Sequence, residues 1–374
     1  MAVAQRAMTA REWGLLALLS LLWGGSFFFI GVAVKELPPL TLAGLRVGLA
    51  ALILWASAPL TGARPPRSGK ALAALALLGL GNNALPFALI AWGQTHLAAG
   101  LASILNAATP LFAVLVAHVF TAEEKLSRFK IIGAVAGMAG VAWVIGPDVL
   151  SGRGGTDAWA EGAVLLAALS YAVTAVFARR VGGLGLKPLE IAIGQTTAGA
   201  IYLVPLALLF DRPWSLPVPS AAVVASVLAI AALCTALAYV VYFRILSGAG
   251  ATNVLLVTLV APATSVILGA LILHERLLAR QFLGFAIIAI GLAFIDGRLP
   301  RALLAGNSNL GRHNPDSPPA RNRASLLARE GFDGDRNEEA DRSCRARRQP
   351  ARQAFDRGGG GGRLAAGDLL PAAR

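Results

Sequence analysis

The chain has 374 residues, 56% of them hydrophobic and only 14% charged, yet its formal net charge is +13. A soluble domain carries about 25% charged residues. This composition therefore excludes an ordinary soluble enzyme, a disordered chain and a soluble nucleic-acid binder, whatever the basic balance suggests. Two cysteines, Cys234 in an apolar run and Cys344 in a polar one, cannot build a disulfide framework.

A membrane helix needs about 20 mostly apolar residues to cross roughly 30 Å of hydrocarbon. Ten such stretches precede residue 297, at 13–34, 39–59, 71–92, 98–120, 129–147, 160–178, 188–210, 220–243, 250–273 and 280–296. A soluble helical bundle would keep a polar face at the 3.6-residue period. Ala71–Leu80 and Val254–Leu273 carry no charge on any face. The first stretch follows Arg6 and Arg11. It is too long for a signal-peptide core and nine more follow it, so it reads as a retained anchor. With the N-terminus inside, the inner loops hold twelve Lys and Arg residues and the outer loops five. The positive-inside rule then predicts that both termini are cytoplasmic.

The two halves repeat each other. Pro110, Glu124, Gly133 and Gly140 in the first answer to Pro262, Glu275, Gly284 and Gly291 in the second, and each glutamate is followed by its glycines at +9 and +16. Glu123 precedes Glu124, so the first-half assignment rests on that spacing. Trp23 and Tyr171 hold matching places, as do Pro39 and Pro188. The expected fold is all-α and integral to the membrane, with a five-helix repeat in 1–147, a second in 158–297 and a tail in 298–374. Five is an odd number, so the second repeat would enter the membrane inverted. Many secondary transporters are built this way, with the substrate site near the midplane between repeats.

These marks resemble the EamA-type members of the drug/metabolite transporter superfamily. The resemblance is carried by Trp23-Gly24-Gly25-Ser26-Phe27, Arg46, the segment Leu101–Pro110 and the Glu-x-Leu-x6-Gly-x6-Gly string in both halves. It covers residues 10–297 and implies ten helices from two duplicated units, a multi-pass setting in a bacterial inner membrane, and transport of small molecules.

Arg46 is the first candidate for the substrate cavity. It lies seven residues into the second stretch, roughly 10 Å deep at 1.5 Å per residue. A charge at that depth faces a cavity or a partner, or serves as a structural arginine. Its counterpart is Gln195. Asn82 and Asn83 in the third stretch and Asn106 in the fourth must bond something, either neighbouring helices or substrate, and Pro86 predicts a kink beside the first pair. Trp23, Ser26, Tyr171 and Tyr239 complete the cavity candidates, since buried rings stack on apolar or cationic groups, whereas Trp92 fits an interfacial belt. Pro110, Glu124, Gly133, Gly140, Pro262, Glu275, Gly284 and Gly291 read as structural. Each glutamate sits at a hairpin and is expected to cap the helix that follows. The glycines let another helix approach closely, from within the bundle or from a second protomer in a homodimer. His96, His118 and His274 have no second histidine at metal spacing, and no metal or cofactor is expected.

No zinc-protease, P-loop or nucleophile-elbow motif is present. The tail holds fifteen arginines, nine acidic residues and the run Gly358–Gly362, a composition that cannot bury a core and reads as disordered. The readings are an arginine-rich arm on the anionic inner leaflet or, less expected, on nucleic acid, and, favoured over both, a solvated appendage with no specific partner. The expected function is secondary transport of small metabolites, such as amino acids or drug-like compounds, by alternating access in the lipid bilayer. The coupling proton or ion, if one is used, is left open. The alternative is a polytopic membrane enzyme acting on a lipid or isoprenoid substrate, for which the spans lack clustered Asp, Glu or His.

Overall fold

The computed structural model describes residues 8–64, 66, 68–121, 127–146, 155–249, 251–254 and 256–295. Within them the chain is helical, with no strand. Eight helices are long and apolar enough to cross a membrane: α1 (Ala10–Ala33), α2 (Pro39–Thr61), α3 (Gly69–Gly93), α4 (Ala99–Phe120), α5 (Arg128–Ile145), α6 (Gly155–Val181), α7 (Pro188–Asp211) and α8, whose apolar part is Ala221–Leu246. Two apolar helices are shorter, α9 (Val257–Ile272) and α10 (Ala279–Ile295). The ninth stretch, expected to run unbroken from 250, starts instead as a separate turn, Ala251–Val254, before α9 begins.

Two helices are interrupted by π turns, Leu80–Ala84 in α3 and Ala232–Leu237 in α8, and α7 ends in another, Ala207–Asp211. The sequence accounts for the first. Pro86 has no N–H, so the wider five-residue register (Leu85 N–H to Leu80 O) relieves the helix just ahead of it. In that register Gly81 O has no backbone donor, and Ser170 Oγ of α6 donates to it at 2.9 Å. The expected kink is therefore a π turn to which a second helix is bonded. α4 is also discontinuous: Ala99–Asn106 and Thr109–Phe120 are separate segments, the second with proline in its first turn.

The halves pack across each other. α2 and α7 run antiparallel, bonded at Thr41–Asp211, Trp55–Thr197 and Arg64–Glu190. α5 and α10 form the second antiparallel pair. A Cβ on Gly133 would lie 2.5 Å from Gly291 O and one on Gly291 2.6 Å from Gly133 O, while Gly140 and Gly284 face each other's carbonyls at 2.8 Å both ways. These glycines are thus spent on each other inside one chain. α1 lies against α8 and α9, and its counterpart α6 lies against α3 and α4. Each repeat's first helix therefore packs on the third and fourth helices of the other. Glu124 and the tail lie outside the described residues.

Candidate functional site

A set of polar side chains buried in the span interior gathers where α2, α3, α6, α7 and α8 meet. Arg46 is 7% exposed. Its Nε donates to Thr235 Oγ1 at 3.0 Å, and its guanidinium carbon stands 3.6 Å from the centre of the Phe87 ring. Thr235 sits in the π turn of α8, where its hydroxyl also reaches back to Ile230 O at 2.9 Å. Among the described residues, the titratable groups beside Arg46 are Tyr171, Cys234 and Tyr239, none of them a carboxylate. A buried cation without a counter-ion is costly by several kcal/mol. A ring face returns only about 2 kcal/mol of that even when desolvated.

A second junction mirrors the first. Asn82 Nδ2 donates to Gln195 Oε1 at 3.3 Å and Asn83 Nδ2 to Gln195 O at 3.2 Å, from the π turn of α3 to α7. Tyr239 Oη donates to Asn83 Oδ1 at 2.8 Å, tying α8 to the same turn. Arg46 and Gln195 each stand seven residues into their helix, and Asn83 and Thr235 each stand 27 residues ahead of the repeat prolines Pro110 and Pro262. The second helix of each repeat is thus bonded to the π turn in the third helix of the other. In one junction the second-helix residue is a cation and in the other a neutral amide.

The structure brings together Arg46, Asn82, Gln195, Tyr171 and Tyr239 from the sequence-based candidates. It sets others apart. Trp23 stacks on Tyr242 with ring centroids 5.7 Å apart, in an apolar cluster of α1 and α8. Ser26 is buried within α1. Asn106 ends the first segment of α4, where its backbone carbonyl accepts from Thr109 Oγ1 at 2.8 Å and its own Oδ1 is buried without a partner. Thr235 and Phe87 were not anticipated, since a threonine or a phenylalanine in an apolar run carries no sequence signal of its own. Counting back from the repeat prolines would have found Thr235.

Glu275 also departs from expectation. It does not cap α10, the helix after its hairpin. Its Oε1 accepts from Ala99 N–H at 2.8 Å and its Oε2 from Gly100 N–H at 3.3 Å, so it caps α4 of the other repeat. Two more carboxylates do the same at this end. Asp211 Oδ2 accepts from Thr41 N–H and Oγ1 at 2.7 and 2.8 Å, at the start of α2. Glu36 Oε2 accepts from Ser220 N–H at 2.7 Å, at the start of α8. The Ser220 bonds hold the Glu36 carboxyl below its usual range. Each satisfies orphan amides and complements a helix dipole, and together they clamp one repeat to the other at the end predicted to face out.

The chain was compared with known proteins. The model of the EamA-like transporter family matches twice, over residues 12–146 and 158–296. YoaV of Bacillus subtilis (strain 168), described as an uncharacterized transporter, is 26% identical over 285 residues, covering 73% of this chain and 92% of that protein. YedA of Escherichia coli (strain K12), described as an uncharacterized inner membrane transporter, is 26% identical over 287 residues, covering 75% and 89%. A Streptantibioticus cattleyicolor protein named "Probable terminal-alkyne amino-acid exporter" is 34% identical over 178 residues, covering 47% and 54%. A crystal structure 19% identical in sequence superimposes with a TM-score of 0.53 over 78% of this chain and 98% of that one, which supports the fold. Two family domains on an apolar helical bundle leave one conclusion: the chain is a polytopic membrane protein that belongs to the EamA-like transporter family.

Proposed function

We propose that this protein is a secondary transporter of small metabolites that carry an anionic group, with amino acids the leading class, and that it works by alternating access. The observation that supports this most strongly is Arg46, a buried guanidinium whose described partners are one hydroxyl and one ring. Such a charge is stabilised best by a mobile anion that visits it, and a substrate carboxylate fits the planar donor fork. Tyr171 and Tyr239 flank the cation and supply aromatic surface for the rest of the substrate. The partial relative named for amino-acid export agrees with this class. The proposed setting is the bacterial inner membrane, as for YedA. All ten apolar segments would cross it, as two inverted repeats with both termini in the cytoplasm.

Alternating access would exchange the two mirrored junctions. When α2 holds α8 through Arg46 and Thr235, substrate is excluded from the cation. Its carboxylate would displace Thr235 and loosen that junction while the Gln195 junction persists. The test is flux into proteoliposomes from a panel of radiolabelled amino acids and their decarboxylated amines. Carboxylate-bearing members should move and the amines should not. Equal flux of both, or of neither, would contradict the reading.

A further inference from the structure

At the opposite end from the three carboxylate clamps, a cavity of about 230 Å3 lies between α2, α3 and α7. Its wall is apolar, made by Trp55, Leu72, Leu75, Ile193, Thr197 and Ile201. Three of these are turned away from the protein body: Trp55 is 39% exposed, Leu72 53% and Ile201 66%. All six lie within membrane-spanning helices, so the groove opens toward hydrocarbon. Water has no place in it, and a groove at this depth is filled by an acyl chain or by another apolar body.

Its mouth is charged. Arg64 and Glu190 line it. Glu190 is already engaged, accepting from Arg64 N–H at 3.1 Å and Lys187 N–H at 2.9 Å, and both cationic side chains lie within its field. Two cations, Arg64 and Lys187, therefore stand beside one acid whose oxygens already serve backbone amides. That excess fits a phosphate at the headgroup level, directly above an acyl-sized slot.

We infer that this groove is a binding site for one anionic phospholipid of the bilayer, with an acyl chain between α2, α3 and α7 and its phosphate beside Arg64 and Lys187. The lipid spans the same three helices that carry Arg46, Asn82, Asn83 and Gln195, so its presence holds the lower part of the α3–α7 junction together. The inference rests on the membrane location and on the groove, and does not depend on which substrate is carried.

The experiment is native mass spectrometry of full-length protein released from nanodiscs of phosphatidylcholine containing a minor fraction of phosphatidylglycerol. Wild type should retain one phosphatidylglycerol in preference to phosphatidylcholine. Removing the mouth charges with Arg64→Ala plus Lys187→Ala should lower that retention at least tenfold. Filling the slot with Ala76→Phe should do the same while leaving the charges in place. Inorganic phosphate at millimolar concentration should not displace the lipid, because it cannot occupy the slot. Retention unchanged in both variants, retention of the two lipids in their bulk ratio, or displacement by inorganic phosphate would overturn the inference. If one variant fails to fold, the other decides on the same readout.

Discussion

Arg46 and the hydroxyl and amide groups around it set the chemistry at the residue scale. Arg46→Ala removes the only fixed charge in the described polar junctions, and with it the anion preference. Flux of carboxylate substrates should fall at least tenfold, while membrane insertion and the elution profile stay as in wild type. Arg46→Lys keeps the charge but loses the planar fork and the stack on Phe87, so it should restore only part of the flux. Tyr239→Phe deletes one hydrogen bond to Asn83. That should cost about 1 kcal/mol of stability, the usual net worth of such a bond, read as a small fall in the thermal midpoint. Arg46 was legible in the sequence because a charge deep in an apolar run must face a cavity or a partner, or serve as a structural arginine. Thr235 was not, because its role depends on a π turn that rotates it toward α2.

Helix ends and helix crossings carry the account at the element scale. The α5–α10 crossing is built on backbone-to-backbone approach, so Gly284→Leu must push the helices apart. It should destabilise by about 3 kcal/mol, the upper range for overpacking a core. Gly14→Leu is the control, because nothing stands within 4 Å of that position. A thermal melt of the two variants in the same detergent makes the comparison. The carboxylate clamps give a pH dependence of definite sign. The Glu36 carboxyl is held below its usual value by the Ser220 amide, so its contribution is present at neutral pH and is lost as pH falls through that lowered value. Glu36→Gln should therefore melt below wild type at pH 7, and the two should converge at acid pH once the wild-type carboxyl is protonated as well. A difference that persists unchanged at acid pH would show that the ion is not what matters. The sequence marked Glu275 as a cap but misassigned the helix, since its true partner α4 lies 176 residues away and only the tertiary packing brings it near.

Pseudo-symmetry organises the whole molecule. Hydrophobic length alone located the helices, and the matching Glu-Gly spacing revealed the repeat, because both follow from the dimensions of the bilayer and of a helix crossing. Other features were not legible. Trp23 and Tyr171 hold matching places in the sequence, yet only Tyr171 joins the polar junction, because Trp23 stacks on Tyr242 instead. The proposed topology makes a direct prediction. In a Cys344→Ser background, Thr95→Cys should react with a membrane-impermeant maleimide on intact cells, and Gly183→Cys only after lysis. The reverse pattern would invert the orientation.

The central claim joins the family's transport function to one buried cation. It is tested most directly by counterflow in proteoliposomes, with wild type and Arg46→Ala reconstituted at equal density and loaded with a labelled amino acid. The account predicts that wild type exchanges label for external amino acid but not for the corresponding amine, and that Arg46→Ala exchanges neither. Wild-type exchange that survives intact in Arg46→Ala would contradict it.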